Sequence, residues 1–151
     1  LRWRVQDELA RVVHLYFSDP WPKRKHHKNR VVQHRFLAEV WRVLVPGGEL
    51  RIVTDHDELW AWDQQHFEIW TNPQAWAQWV SGASPTLDEH QGVPPAATLP
   101  TIPPGTAPYT SEPFVPPEWV GEGQLVGTNY ERKFRKEDRP AHSIVLRKPL
   151  G

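Results

Sequence analysis

Two strand-like runs bracket one helical stripe, and that arrangement leaves few folds open to the chain. "VVHLYF" (Val12 to Phe17) is β-branched and aromatic and is stopped by Ser-Asp-Pro. "ELRIVT" (Glu49 to Thr54) is a second such run. Between them, "NRVVQHRFLAEVWRVL" places Val31, Val32, Phe36, Leu37, Val40, Trp41 and Leu44 on one face at helical spacing. Asn29 reads as the N-cap, and "VPGG" as the stop, with Gly47 or Gly48 taking the left-handed angle. A strand, a helix and a strand within about 40 residues predict a βαβ unit with parallel strands and a right-handed crossover. The fold class expected is α/β.

The rest of the chain extends this unit. Val5 to Arg11 reads as the end of a helix. A helix is expected from about Asp57 to Trp70, and a short one from Asn72-Pro73, an N-cap and N1 pair, to near Val80. Trp60, Trp62, Trp70, Trp76 and Trp79 read as packing residues on these two helices. Residues 81–117 hold 10 of the 16 prolines, so this stretch reads as an irregular insertion, too broken for a regular element. "TNYERKFRK" and "HSIVLRK", separated by "EDRPA", predict a C-terminal antiparallel hairpin.

At 151 residues, with 38% apolar and 24% charged residues, the composition is that of one soluble globular domain. No apolar run approaches the roughly 20 residues of a membrane helix, so no membrane partner is expected. The absence of cysteine excludes disulfides and thiolate metal sites, and it fits a reducing, cytoplasmic compartment. The chain has no methionine and is expected to be the C-terminal part of a longer protein.

Zero formal net charge hides a sorted distribution. Seven of the 18 Lys and Arg lie between Lys23 and Arg42, seven more lie between Arg132 and Lys148, and none lies from Ile52 to Glu131. Two local basic patches, not the total, decide what binds; where the two meet in space, they form a candidate polyanion surface.

In an open α/β sheet, ligands bind beyond the carboxyl ends of the parallel strands. Asp19 follows the first strand and Asp55 follows the second, so both carboxylates are expected at one edge. The cations of "KRKHHKNR" leave that edge too. Asp19 therefore faces a pocket, while the cations reach outward for phosphate. The bland alternatives are a turn aspartate before proline for Asp19 and a helix N-cap for Asp55. Trp21 is either a stacking platform for a base or a pin of the loop to the core. His26-His27 and "DHD" at Asp55 to Asp57 lack the spacing of a ligand set, and no metal is expected.

"FSDPWPKRKHHKNR", "GGELRIVTD" and "GTNYERKF" together resemble, in order, three motifs of the bacterial tRNA (guanine-N7-)-methyltransferases, the TrmB type. The resemblance implies part of a Rossmann-like class I methyltransferase sheet, S-adenosylmethionine as cofactor and tRNA as substrate and partner. It implies that Asp19 sits where cofactor and target base meet, as the catalytic and cofactor-binding residue. Lys23 resembles the substrate-contacting lysine. Lys25, His26, His27, Lys28, Asn29 and Arg30 match the RNA-contacting run, although His27 departs from the pattern. Asp55 resembles a substrate-binding residue, and Thr128, Asn129, Tyr130 and Glu131 match the substrate-contacting T-x-[FY]-E. The glycine-rich cofactor loop of that family has no counterpart in these 151 residues. The expected role is thus the target-base and RNA-binding half of a methyltransferase. The alternatives are a non-catalytic RNA-binding module derived from one and, from another class, a metal-dependent hydrolase.

Overall fold

The structure, a computed structural model, describes residues 7–82, 99–115 and 141–150. Its elements are β1 (Ala10–Tyr16), a 3-10 helix (Arg24–Asn29), α1 (His34–Val43), β2 (Leu44–Thr54), α2 (Asp57–Thr71), α3 (Pro73–Val80), β3 (Thr110–Glu112) and β4 (His142–Arg147).

β1 and β2 pair in parallel, with Val13 opposite Leu50 and Tyr16 opposite Val53, so the expected βαβ unit is present. β4 lies antiparallel to β2 on one side and to β3 on the other, giving the order β1-β2-β4-β3. The result is an α/β mixed sheet. Alternation along the strands sends Leu50, Ile52 and Leu146 to one face. There they meet Leu37, Ala38 and Val40 of α1, Phe67 and Trp70 of α2, and Trp76 and Trp79 of α3. The tryptophans read as packing residues are largely that: Trp70 and Trp79 are at most 1% exposed.

Several elements begin elsewhere than the pattern predicts. The helix end expected over Val5 to Arg11 is replaced, where described, by a turn and the start of β1; Leu9 N–H donates to the Val43 carbonyl at 2.8 Å. α1 starts at His34, and Asn29 closes the 3-10 helix instead of capping α1. Gln33 explains the delay. Its side-chain amide turns back to donate to the carbonyls of Lys28 at 2.7 Å and Arg30 at 2.6 Å, satisfying the end of the 3-10 helix. Val31 and Val32 thus precede the helix, although Val32 is still buried.

α1 passes into β2 at Leu44, and Gly47 takes its left-handed angle (φ 82°) inside that strand. The β1–β2 register shifts there, between Ala10 opposite Leu44 and Val12 opposite Glu49. Asn72 caps α3 as expected, its Oδ1 accepting from Gln74 and Ala75 N–H at 3.0 and 3.1 Å.

The reading of 81–117 as free of regular elements is corrected for its described part. Tyr109 is fully buried, donates its hydroxyl to the Leu37 carbonyl at 2.7 Å, and leads into β3. Trp41 Nε1 donates to the Pro108 carbonyl at 2.9 Å. The prolines occupy the approach, and Ala107 and Tyr109 among them are buried. β4 confirms the second strand of the predicted hairpin, with β3 and β2 as its partners; "TNYERKFRK" lies outside the described residues.

Candidate functional site

Parallel pairing brings the ends of β1 and β2 to one edge. Phe17 N–H extends the ladder onto the Val53 carbonyl at 2.7 Å. Asp19 comes two residues later, and Asp55 directly follows Thr54. Asp19 is exposed and Asp55 half-buried.

Two non-glycine residues with left-handed angles bracket Asp19: Phe17 (φ 53°) and Trp21 (φ 44°). Such angles cost of order 1–3 kcal/mol each and persist only where the surroundings impose them. The proline rings on both sides of Trp21 add their own restriction. Arg30 Nε donates to the Pro20 carbonyl at 2.8 Å, and its Nη2 reaches Glu58 of α2 at 3.0 Å. Its guanidinium lies 5.0 Å from the centroid of the Trp62 ring. His27 Nε2 lies 3.3 Å from the Pro22 carbonyl, with its ring edge-on to Trp62. The Asp19 loop is thereby strapped to the first turns of α2.

This sorts the basic run into two sets. Arg30 is only 2% exposed, so its expected place among the RNA contacts is corrected: it is a loop tether. His27 is turned inward beside it. Lys23, Lys25, Lys28 and Asn29 are exposed, and so is Arg24 between the first two. Lys25 and Lys28, three apart in a 3-10 helix, share one side. His26 stands edge-on to Trp21, with ring centroids 5.6 Å apart. Trp21 is thus packed on its own loop while half-exposed.

Asp55 is not the cap of α2. His56 takes that place, its Nδ1 accepting the Leu59 N–H at 3.0 Å. Thr128, Asn129, Tyr130 and Glu131 lie outside the described residues. Among the described residues, no three His, Asp or Glu converge as metal ligands, and no helix is long and apolar enough to cross a membrane.

Comparison with known sequences bears on what this edge is. A family described as "Putative methyltransferase" matches residues 1–80, just over half the chain and the whole of the βαβ unit. The chain belongs to this methyltransferase family. It is also similar to proteins named tRNA (guanine-N(7)-)-methyltransferase. That of Nitrobacter hamburgensis is 48% identical over 66 residues, which are 44% of this chain and 26% of the relative. That of Bradyrhizobium diazoefficiens is 47% identical over 66 residues, 44% of this chain and 28% of the relative. That of Corynebacterium jeikeium is 46% identical over 57 residues, 38% and 22% respectively. The chain thus spans about a quarter of the length of the curated relatives it matches. Membership accords with the mixed α/β sheet.

Proposed function

We propose that this chain is the target-base and RNA-binding half of an S-adenosylmethionine-dependent enzyme that methylates N7 of a guanine in cytoplasmic tRNA. One observation supports it above the others. The parallel β1–β2 pair sends Asp19 and Asp55 to a single edge, and the exposed cations Lys23, Arg24, Lys25 and Lys28 flank it.

The chemistry asks for that combination. Guanine N7 carries a lone pair and no proton, so no base is needed to free the nucleophile. N7 bonds the methyl carbon as the carbon–sulfur bond breaks, and the positive charge passes from sulfur to the ring. S-adenosylmethionine supplies the sulfonium methyl when bound. The protein's task is alignment, which can be worth roughly 7–11 kcal/mol, and compensation of the charge the ring acquires. Asp19, in a loop held rigid by Arg30, orients the reacting pair at their meeting point. Asp55 accepts N–H from the base. Lys23, Lys25 and Lys28 neutralise backbone phosphates, with His26 and Asn29 beside them and Thr128 to Glu131 closing the site. The glycine-rich part of the cofactor site has no counterpart in these residues and is proposed to lie on chain outside them.

The test is methyl incorporation into an unmodified tRNA transcript by the full-length protein, with the product mapped to the base. Asp19→Ala should abolish transfer and leave most RNA affinity. Transfer surviving that change would refute the role of Asp19. RNA binding without any transfer by the wild type would instead indicate a non-catalytic RNA-binding module.

A further inference from the structure

A second constellation stands at the same edge and is not part of the three motifs. His142 opens β4 directly opposite Thr54, so it neighbours Asp55. Its Nε2 lies 2.8 Å from Oδ1 of Asp57, the first residue of α2. Trp60, three residues further along that helix, lies flat against the imidazole, with centroids 5.3 Å apart and planes within 7°. The ring is therefore fixed twice: in rotation by a hydrogen bond, and in plane by a stack. A carboxylate only accepts, so Nε2 carries a proton; whenever the ring is neutral, Nδ1 is then its acceptor. Nδ1 has no hydrogen-bond partner among the described residues. The ring is about one-third exposed, open enough for a ligand.

We propose that His142 reads the target base, its Nδ1 accepting an N–H from the Watson–Crick edge of the guanine. Asp57 sets the tautomer and Trp60 the plane; both are positioning residues. The inference rests on the guanine substrate proposed above and names how that substrate is chosen. Guanine offers N1–H and the N2 amino group on this edge; at those two positions adenine has a bare N1 lone pair and C2–H, and its N6 amino group stands where guanine has O6. An aimed acceptor beside Asp55 admits the first and leaves the second facing a lone pair, and a site built on a hydrogen bond rejects the base that lacks it.

The experiment is a cycle between residue and substrate group in the full-length protein. Single-turnover methyl transfer is measured for wild type, His142→Ala and His142→Asn, on tRNA carrying guanosine, inosine (no N2 amino group) or 1-methylguanosine (no N1–H) at the modified position. His142→Ala should slow transfer to guanosine about ten-fold or more. That loss should vanish on one of the two analogues, because the partner N–H is already gone. His142→Asn, whose amide oxygen falls near Nδ1, should recover part of the rate. Asp57→Ala and Trp60→Ala should each slow wild type yet add nothing to His142→Ala. A His142→Ala loss that persists undiminished on both analogues, or no loss on guanosine, overturns the inference while leaving the methyltransferase reading intact. A wild-type protein that methylates no guanine overturns both.

Discussion

Arg30 and Glu58, 28 residues apart, are joined by a 3.0 Å hydrogen bond that closes the Asp19 loop against α2. The two ends of this bond are unlike. Arg30 is 2% exposed and also holds the Pro20 carbonyl, whereas Glu58 is 56% exposed. Removing Arg30 leaves a shielded carbonyl without a donor, a loss of about 1–3 kcal/mol. Glu58→Gln keeps an oxygen to accept from Arg30 and gives up only a charge that solvent screens, worth under about 1 kcal/mol. Denaturant titration should thus show Arg30→Ala clearly destabilised and Glu58→Gln nearly unchanged. Arg30→Lys should recover little, since an ammonium lacks the fork that spans both partners.

The exposed cations predict a different signature. Lys25 and Lys28 share one side of the 3-10 helix and make no ion pair among the described residues. Each phosphate contact adds about one unit to the slope of log affinity against log salt. Lys25→Ala with Lys28→Ala should lower that slope by about two in filter binding to tRNA, with the unfolding midpoint unmoved. An unchanged slope would remove these lysines from the RNA interface.

The edge that carries Asp19 and Asp55 was legible because strand runs and helix stripes are local patterns, and parallel pairing follows from them. Arg30 was not. Within "KRKHHKNR" it looks like its neighbours, and only the Pro20 carbonyl and Glu58 across the fold mark it as buried. The late start of α1 was hidden for a similar reason. Val31 and Val32 fit the helical stripe, and the side-chain bonds of Gln33 outweigh that pattern. Tyr109 was lost in a proline-rich stretch whose composition reads as an irregular insertion. The His142–Asp57 pair spans 85 positions and leaves no local signal.

Two buried groups with opposite shifts predict the pH profile of stability. Burial first, and His66 second, hold His34 down to about 3. Between 6.5 and about 3, the unfolded chain binds a proton that the fold refuses, so stability falls as pH drops through that window. Asp63 is pushed up to about 8 by burial, against the opposing charge of Arg30. Between 3.8 and about 8, the fold keeps a proton that the unfolded chain has released, so stability falls as pH rises. The slopes oppose each other between 3.8 and 6.5, and above 6.5 only that of Asp63 remains. Each slope is at most about 1.4 kcal/mol per pH unit. Asp63→Asn should therefore flatten the decline between pH 6.5 and 8 in denaturant unfolding, and His34→Gln should flatten the acid limb. A decline unchanged by Asp63→Asn would mean that the carboxyl is ionised in the fold.

Gly48 offers a test of the β1–β2 register that carries both acids to one edge. A Cβ there would stand 2.9 Å from the Val45 carbonyl oxygen and 3.1 Å from that of Arg11. Both neighbours are backbone, one of them on the partner strand, so relief requires the strands to part where the register shifts. Overpacking of this kind costs about 1–3 kcal/mol. Gly82→Ala is the control. Its angle is left-handed (φ 78°), but nothing lies within 4 Å of the added methyl, so only the roughly 1–2 kcal/mol backbone term applies. Gly48 carries no such angle, so its cost is purely one of contact, and it should spread to the site. Gly48→Ala should speed amide exchange at Phe17, whose N–H donates to Val53 at the far end of the same ladder, and Gly82→Ala should not. Equal protection of Phe17 in both variants would mean that the register shift and the carboxyl edge are uncoupled.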